Sequence, residues 1–215
     1  MLPSEDQRAF TKFAAAAETC EDIEALVRPF SRRFDMLLDG APIAPREANA
    51  YERVAPGVYL AFGQITESAS PVRIETAALP SELADDYPHP SLLRLERQRD
   101  VADNWLTLEI EEEPALARYF ERIEVLLRGR AAPRPLNFHV GIIANYASAH
   151  QIIGRAGVRF ERRPSSVLAE FRLGQDLERP AVEVTALKLA VFLPVADLDL
   201  LELFDIQCVG HFADA

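Results

Sequence analysis

Cysteine is scarce in this sequence: Cys20 and Cys208 are the only two in 215 residues, and they lie far apart. Two cysteines build neither a disulfide framework nor a zinc site, so both are expected to be free thiols in a reducing cytosol. Basic residues are also in deficit, with 23 Lys and Arg against 34 Asp and Glu, for a formal net charge of -11. A nucleic-acid backbone or an anionic membrane surface demands a basic footprint, so neither is expected as the main partner. No window approaches the ~20 consecutive apolar residues of a membrane span. The opening MLPSEDQRAF has no basic start followed by an apolar stretch, so no signal peptide is expected and the expected location is cytoplasmic. The common catalytic signatures are missing: no GxGxxG after a strand, no GxxxxGKS/T, no HExxH, no GxSxG. His89, His139, His150 and His211 are too widely separated to pair as metal ligands by spacing. Trp105 is the single tryptophan.

Two apolar-rich runs near the end, Val182–Leu193 and Leu198–Val209, dominate what is present. In the first, Leu187, Leu189, Val191 and Leu193 fall on one side of a strand, with Lys188 between them. In the second, alternation groups Leu201 and Leu203 with Asp205, and Leu200 with Phe204, Ile206 and Cys208. Strands of this length are not stable alone and require others to cover them. From Gly57 onward further alternating runs follow: Gly57–Ile65, Val72–Ala78, Leu92–Arg97, Trp105–Glu111, Phe120–Arg128, Leu136–Ile143, Gly157–Arg162 and Val167–Leu173. Roughly ten strands bounded by Pro, Gly, Asn and Asp, each with one charged face, predict antiparallel pairing. No amphipathic helical segment separates them, which excludes βαβ architectures. The fold class is therefore mainly β, an antiparallel two-sheet sandwich of jelly-roll type over residues 57–215.

The first residues differ. Ser4 with Gln7, then Phe10, Phe13, Ala14 and Ala17, reads as a capped amphipathic helix. A second helical pattern runs from Thr19 to Leu38, with Pro29 inside it to kink or divide it. Residues 1–40 thus form an N-terminal α-helical segment, and the proline-punctuated residues 41–56 an extended linker. Helices over 4–38 serve either as a cover packed on the β domain or as a surface for a protein partner or self-association.

Candidate recognition residues are few. Asn137 and His139 share a polar strand face opposite Phe138 and Val140, suited to a sugar or simply to solvent. Asn145, Tyr146 and His150 lie in or beside the loop ANYASAHQ, and loops on a rigid sandwich often carry recognition. Trp105 opens a strand; a tryptophan there is either a stacking platform for a sugar ring or a core residue. Glu109 and Glu111 share an outward strand face, as an acid–base pair, as calcium ligands or as a solvated edge. Arg155, Arg159, Arg162 and Arg163 form a basic cluster that reads as an anion site or as a strand edge kept from pairing.

From Trp105 onward, the segments NWLTLEI, RIEVLLRGR and LELFDIQCVG resemble the strand succession of jelly-roll carbohydrate-binding modules. The resemblance is one of pattern and spans about half the chain. It implies a carbohydrate or glycoconjugate ligand held on aromatic platforms. It also implies that Asp205, matching the terminal-strand Asp of several such families, joins a structural calcium; no other cofactor is expected. The leading expectation is a non-catalytic binding domain. The alternatives are a protein-interaction or assembly module using the N-terminal helices or an exposed strand edge, and an enzyme acting on a polysaccharide through Glu109 and Glu111.

Overall fold

The computed structural model describes residues 43–44, 46–47, 52–62, 72–87, 90–98, 105–112, 120–173, 177, 179–180 and 183–211. The expected N-terminal helices, Cys20 and His89 lie outside them. The described chain is almost wholly strand: β1 (Arg46–Glu47), β2 (Glu52–Ala55), β3 (Val58–Phe62), β4 (Val72–Ala78), β5 (Ser91–Arg97) and β6 (Trp105–Glu112), then β7 (Arg122–Ala132), β8 (Leu136–Asn145), β9 (His150–Phe160), β10 (Ser165–Arg172), β11 (Ala186–Pro194) and β12 (Leu200–His211). These form two six-stranded sheets, sheet A in the order β1-β4-β5-β12-β7-β10 and sheet B in the order β2-β3-β6-β11-β8-β9. Every pairing is antiparallel. From β5 on, the chain passes from sheet to sheet at nearly every connection, as in a jelly roll. Among the described residues, no helix is long and apolar enough to cross a membrane.

Alternation explains the core. Leu106, Leu108 and Ile110 of β6, Leu187, Leu189 and Val191 of β11, and Ile123, Val125 and Leu127 of β7 all point between the sheets into one buried cluster. The two closing strands occupy central places, β11 between β6 and β8 and β12 between β5 and β7. A strand with neighbours on both sides and a sheet over one face must carry apolar residues on that face, which accounts for the two long apolar runs. Phe138 and Phe160 meet edge-on in this core, ring centroids 5.2 Å apart. Cys208 is buried there, and burial, helped by the negative charge of Glu112, pushes its thiol well above the usual range.

Two expectations need correction. The segment expected as a linker over 41–56 is partly built into the sheets, because Arg46–Glu47 pairs with β4 and Glu52–Ala55 with β3. In β12 the register shifts between Leu203 and Asp205, so strict alternation fails. Leu201, Leu203, Ile206 and Cys208 face the core, while Phe204 turns to the outer face and packs with Leu79 and Leu92. Asp205 is paired with Arg128 and is therefore not grouped with Leu201 and Leu203. A bulge places two successive residues opposite one partner, and a period-two reading cannot anticipate it.

Candidate functional site

Each sheet has an outer face, and the two are finished differently. On sheet A, Glu202 is 2% exposed and lies between two arginines. Its Oε1 accepts from Arg94 Nε at 3.1 Å and Nη2 at 2.7 Å, and its Oε2 from Arg130 Nε at 2.5 Å. Arg94 reaches on to Glu75 at 3.1 Å. The hydrogen bonds that Arg94 donates to Glu202 hold its guanidinium above its usual value, against the opposing pull of burial. Asp205, fully buried, accepts from the Gln207 amide at 2.7 Å and faces Arg128 at 3.5 Å. Tyr87 lies against Phe204 with centroids 5.1 Å apart, and Arg128 sits over the Tyr87 ring. At the end of the sheet, Asp199 accepts from Arg97 at 2.7 Å and Arg134 at 2.9 Å. Burial alone would raise the Asp199 carboxyl, but these two guanidinium groups hold it below its usual value.

A calcium ion takes six to eight oxygen donors. Asp205 itself is engaged by the Gln207 amide nitrogen and faces the Arg128 guanidinium. Among the described residues, no group of three His, Cys, Asp or Glu side chains converges on a metal position.

The outer face of sheet B is organised in rows set by strand register. One row crosses five strands: Ala61, Thr107, Phe192, His139 and Gly157. The next carries Tyr59, Glu109, Ala190 and Gly141. A third joins Glu111, Lys188, Ile143 and Ile152. Lys188 Nζ bonds Glu109 at 2.9 Å and sits 5.0 Å from the centroid of the Tyr59 ring. Thr107 is 1% exposed, and its hydroxyl has no hydrogen-bond partner among the described residues. A Cβ on Gly157 would meet nothing within 4 Å, so the surface beside His139 is open.

Strand β9 contributes the most unusual feature of this face. Its register with β8 shifts between Val140 and Ile142, and Gly154, at φ 60°, occupies the left-handed region that glycine adopts without strain. Arg155, exposed, lies with its guanidinium 4.5 Å from the centroid of the Phe192 ring. Gly141 has no room for a side chain, since a Cβ there would stand 2.8 Å from the Gly154 carbonyl oxygen and 3.2 Å from Phe192. Arg155 has no carboxylate partner among the described residues, and neither do Arg162 and Arg163 in the turn that follows. Arg159 is paired with Glu161 at 2.7 Å.

The residues singled out from sequence are distributed as follows. Asn137 and His139 are exposed on this face, and Asn145 and His150 are paired with each other at the far end of β8 and β9. Tyr146 belongs to the core cluster, with its hydroxyl 3.2 Å from Gln151 Oε1 and Arg179 over its ring. Trp105 begins β6 opposite Pro194; its side chain is outside the described set. Glu109 and Glu111 do share the outer face, with Glu109 engaged by Lys188. Phe192, Lys188 and Tyr59 were not named as recognition residues, and Arg155 was named only within the basic cluster read as an anion site or a strand edge. Alternation did mark Lys188 and Phe192 as facing away from the core, but which strands stand beside β11 is not written in either run.

No protein-family model and no curated protein matches the sequence. Solved structures do resemble the fold. The family 11 carbohydrate-binding module from Clostridium thermocellum, in complex with a β-1,3-1,4-mixed-linked tetrasaccharide, matches with TM-score 0.47 and 6% identity over 80% of this chain and 99% of that one. The CBM22-1 xylan-binding domain of Paenibacillus barcinonensis Xyn10C matches with TM-score 0.45 and 12% identity over 66% and 83%. An arabinose-bound α-L-arabinofuranosidase, MgGH51, matches with TM-score 0.49 and 9% identity over 81% of this chain and 28% of that one.

Proposed function

We propose that the protein is a non-catalytic glycan-binding module that uses the outer face of sheet B. The observation that carries this reading is the row Phe192–His139–Gly157, which sets a ring, an imidazole and open backbone side by side across adjacent strands. Pyranose rings offer apolar C–H faces and a rim of hydroxyls, and such a surface answers both. His139 and Asn137 fix hydroxyls on one side; Asn145 and His150 extend the polar line along β8 and β9, Trp105 begins the neighbouring β6, and Tyr146, in the core, takes no part. The solved carbohydrate-binding modules similar to this chain are in keeping with the reading without carrying it. As an enzyme the face is poorly equipped, because Glu109 is tied to Lys188 and its neighbour Glu111 lies on the same strand.

Affinity electrophoresis of the intact protein through gels holding neutral and acidic plant and microbial polysaccharides tests the proposal. At least one polysaccharide is expected to retard it, and Phe192→Ala to weaken the retardation about tenfold while the thermal midpoint is kept. Free migration through every gel would sink it.

A second reading, a protein-interaction module, has one observation in its favour: Leu168 on edge strand β10 is 61% exposed. A sedimentation coefficient that rises with concentration and is flattened by Leu168→Lys would support that reading.

A further inference from the structure

Both described rings on the sheet B face are capped by cations. Arg155 lies over Phe192 and Lys188 over Tyr59. The Cε2 edge of Phe192 lies close to Gly141 and the guanidinium stands over the ring, so a ligand meets the cation together with the ring. The two cations differ in commitment. Lys188 is bonded to Glu109, whereas Arg155 meets no carboxylate among the described residues and keeps its N–H donors for solvent. In this it resembles Arg162 and Arg163 and contrasts with Arg94, Arg97, Arg122, Arg128, Arg130, Arg134 and Arg172, each of which has an acidic partner; what sets Arg155 apart is the ring beneath it.

We propose that Arg155 is the recognition element for a carboxylate, and that the glycan bound on this face is a uronic-acid polymer. The inference rests on the glycan-binding reading above and names its ligand class. A guanidinium is a planar fork of donors that meets both oxygens of a carboxylate at once, and a stacked one is already oriented, so little side-chain freedom remains to be lost on binding. The Phe192 ring supplies that orientation and the Gly154 bulge sets its place along β9. Arg162 and Arg163 lie beyond the end of the same strand and raise the local positive potential without being aimed. Uncharged neighbours, Gly157 open to solvent and His139 beside it, leave room for the sugar ring that bears the acid.

The test is calorimetric titration of the intact protein with oligogalacturonate, with the same oligosaccharide after reduction of its carboxyls to alcohols, and with a neutral xylo-oligosaccharide. The acid form is expected to bind roughly tenfold or more tightly than its reduced form. Arg155→Gln is expected to erase that preference with the thermal midpoint unmoved, while Arg162→Gln/Arg163→Gln leaves most of it. Equal binding of acid and reduced forms, with Arg155→Gln without effect, overturns the uronate inference and leaves the glycan reading standing. A loss as large in the Arg162→Gln/Arg163→Gln variant as in Arg155→Gln also overturns it, since diffuse charge would then suffice. So does tighter binding of a single-stranded oligonucleotide than of oligogalacturonate. If no saccharide binds in any form, the glycan reading itself falls.

Discussion

On the outer face of sheet A, Arg94, Arg128 and Arg130 meet Glu202 or Asp205, carboxylates almost wholly withdrawn from water. On the outer face of sheet B, Arg155 lies on Phe192 with no acid beside it among the described residues. The same side chain is thus used in two ways. In sheet A the cost of burying a carboxylate is offset by two donors per anion, and the face is closed to newcomers. In sheet B the cation is left at the surface, supported by a ring and free to take a partner. The lesson is that charge content alone does not mark a binding face; the degree to which charges are already satisfied does.

That contrast can be broken experimentally. The largest effect is expected from Glu202→Ala, which removes the acceptor shared by Arg94 and Arg130. Both guanidiniums are partly exposed and regain water, so the cost in urea unfolding should be about 2 kcal/mol, with saccharide binding on the opposite sheet unchanged. A mutant that unfolds no earlier than the parent would show that the sheet A network is ornamental. Thr107→Val works in the other direction. It replaces a buried hydroxyl that has no partner by a methyl of the same shape, and unfolding stability should rise by about 1 kcal/mol. A fall would mean that the hydroxyl is engaged after all.

The smallest effect concerns acid. The Asp199 carboxyl is lowered in the fold by Arg97 and Arg134. Its contribution is therefore present above the unfolded carboxyl value, about 3.9, and is lost as pH falls through the lower folded value. Asp199→Asn should lower the thermal midpoint slightly at pH 5 and flatten its decline below about pH 4, so that variant and parent converge in acid. An unchanged slope would place the acid sensitivity of sheet A elsewhere.

Much of the sandwich could be read from the amino acids because burial on one side of a strand imposes alternation. Val72–Ala78 was delimited to the residue, and the core sides of β6, β7 and β11 follow from period two alone. The failures share one cause. At Leu203–Asp205 and at Val140–Ile142 the ladder takes up an extra residue, and beyond such a point the phase of alternation is reset. The first half of β9 escaped notice for that reason, since HQIIGRAG spans the reset and alternates with neither half. The face proposed to bind was legible only as single strands. His139 and Asn137 were visible as polar residues opposite Phe138 and Val140, but Phe192 and Arg155 become neighbours only when β11 and β9 are placed on either side of β8. Register between strands distant in sequence is a property of tertiary packing.

The bulge at Gly154 also has an evolutionary consequence. It works as a phase joint: residues before it and after it keep their own inward sides, Ile153 on one part and Val158 and Phe160 on the other. A single-residue insertion or deletion there would be absorbed locally and would not scramble the strand, because the joint already tolerates an odd residue. What such a change would alter is the side chain delivered onto Phe192. Ligand preference on this face could therefore be re-set in one genetic step at one backbone joint, leaving the core of the sandwich as it is.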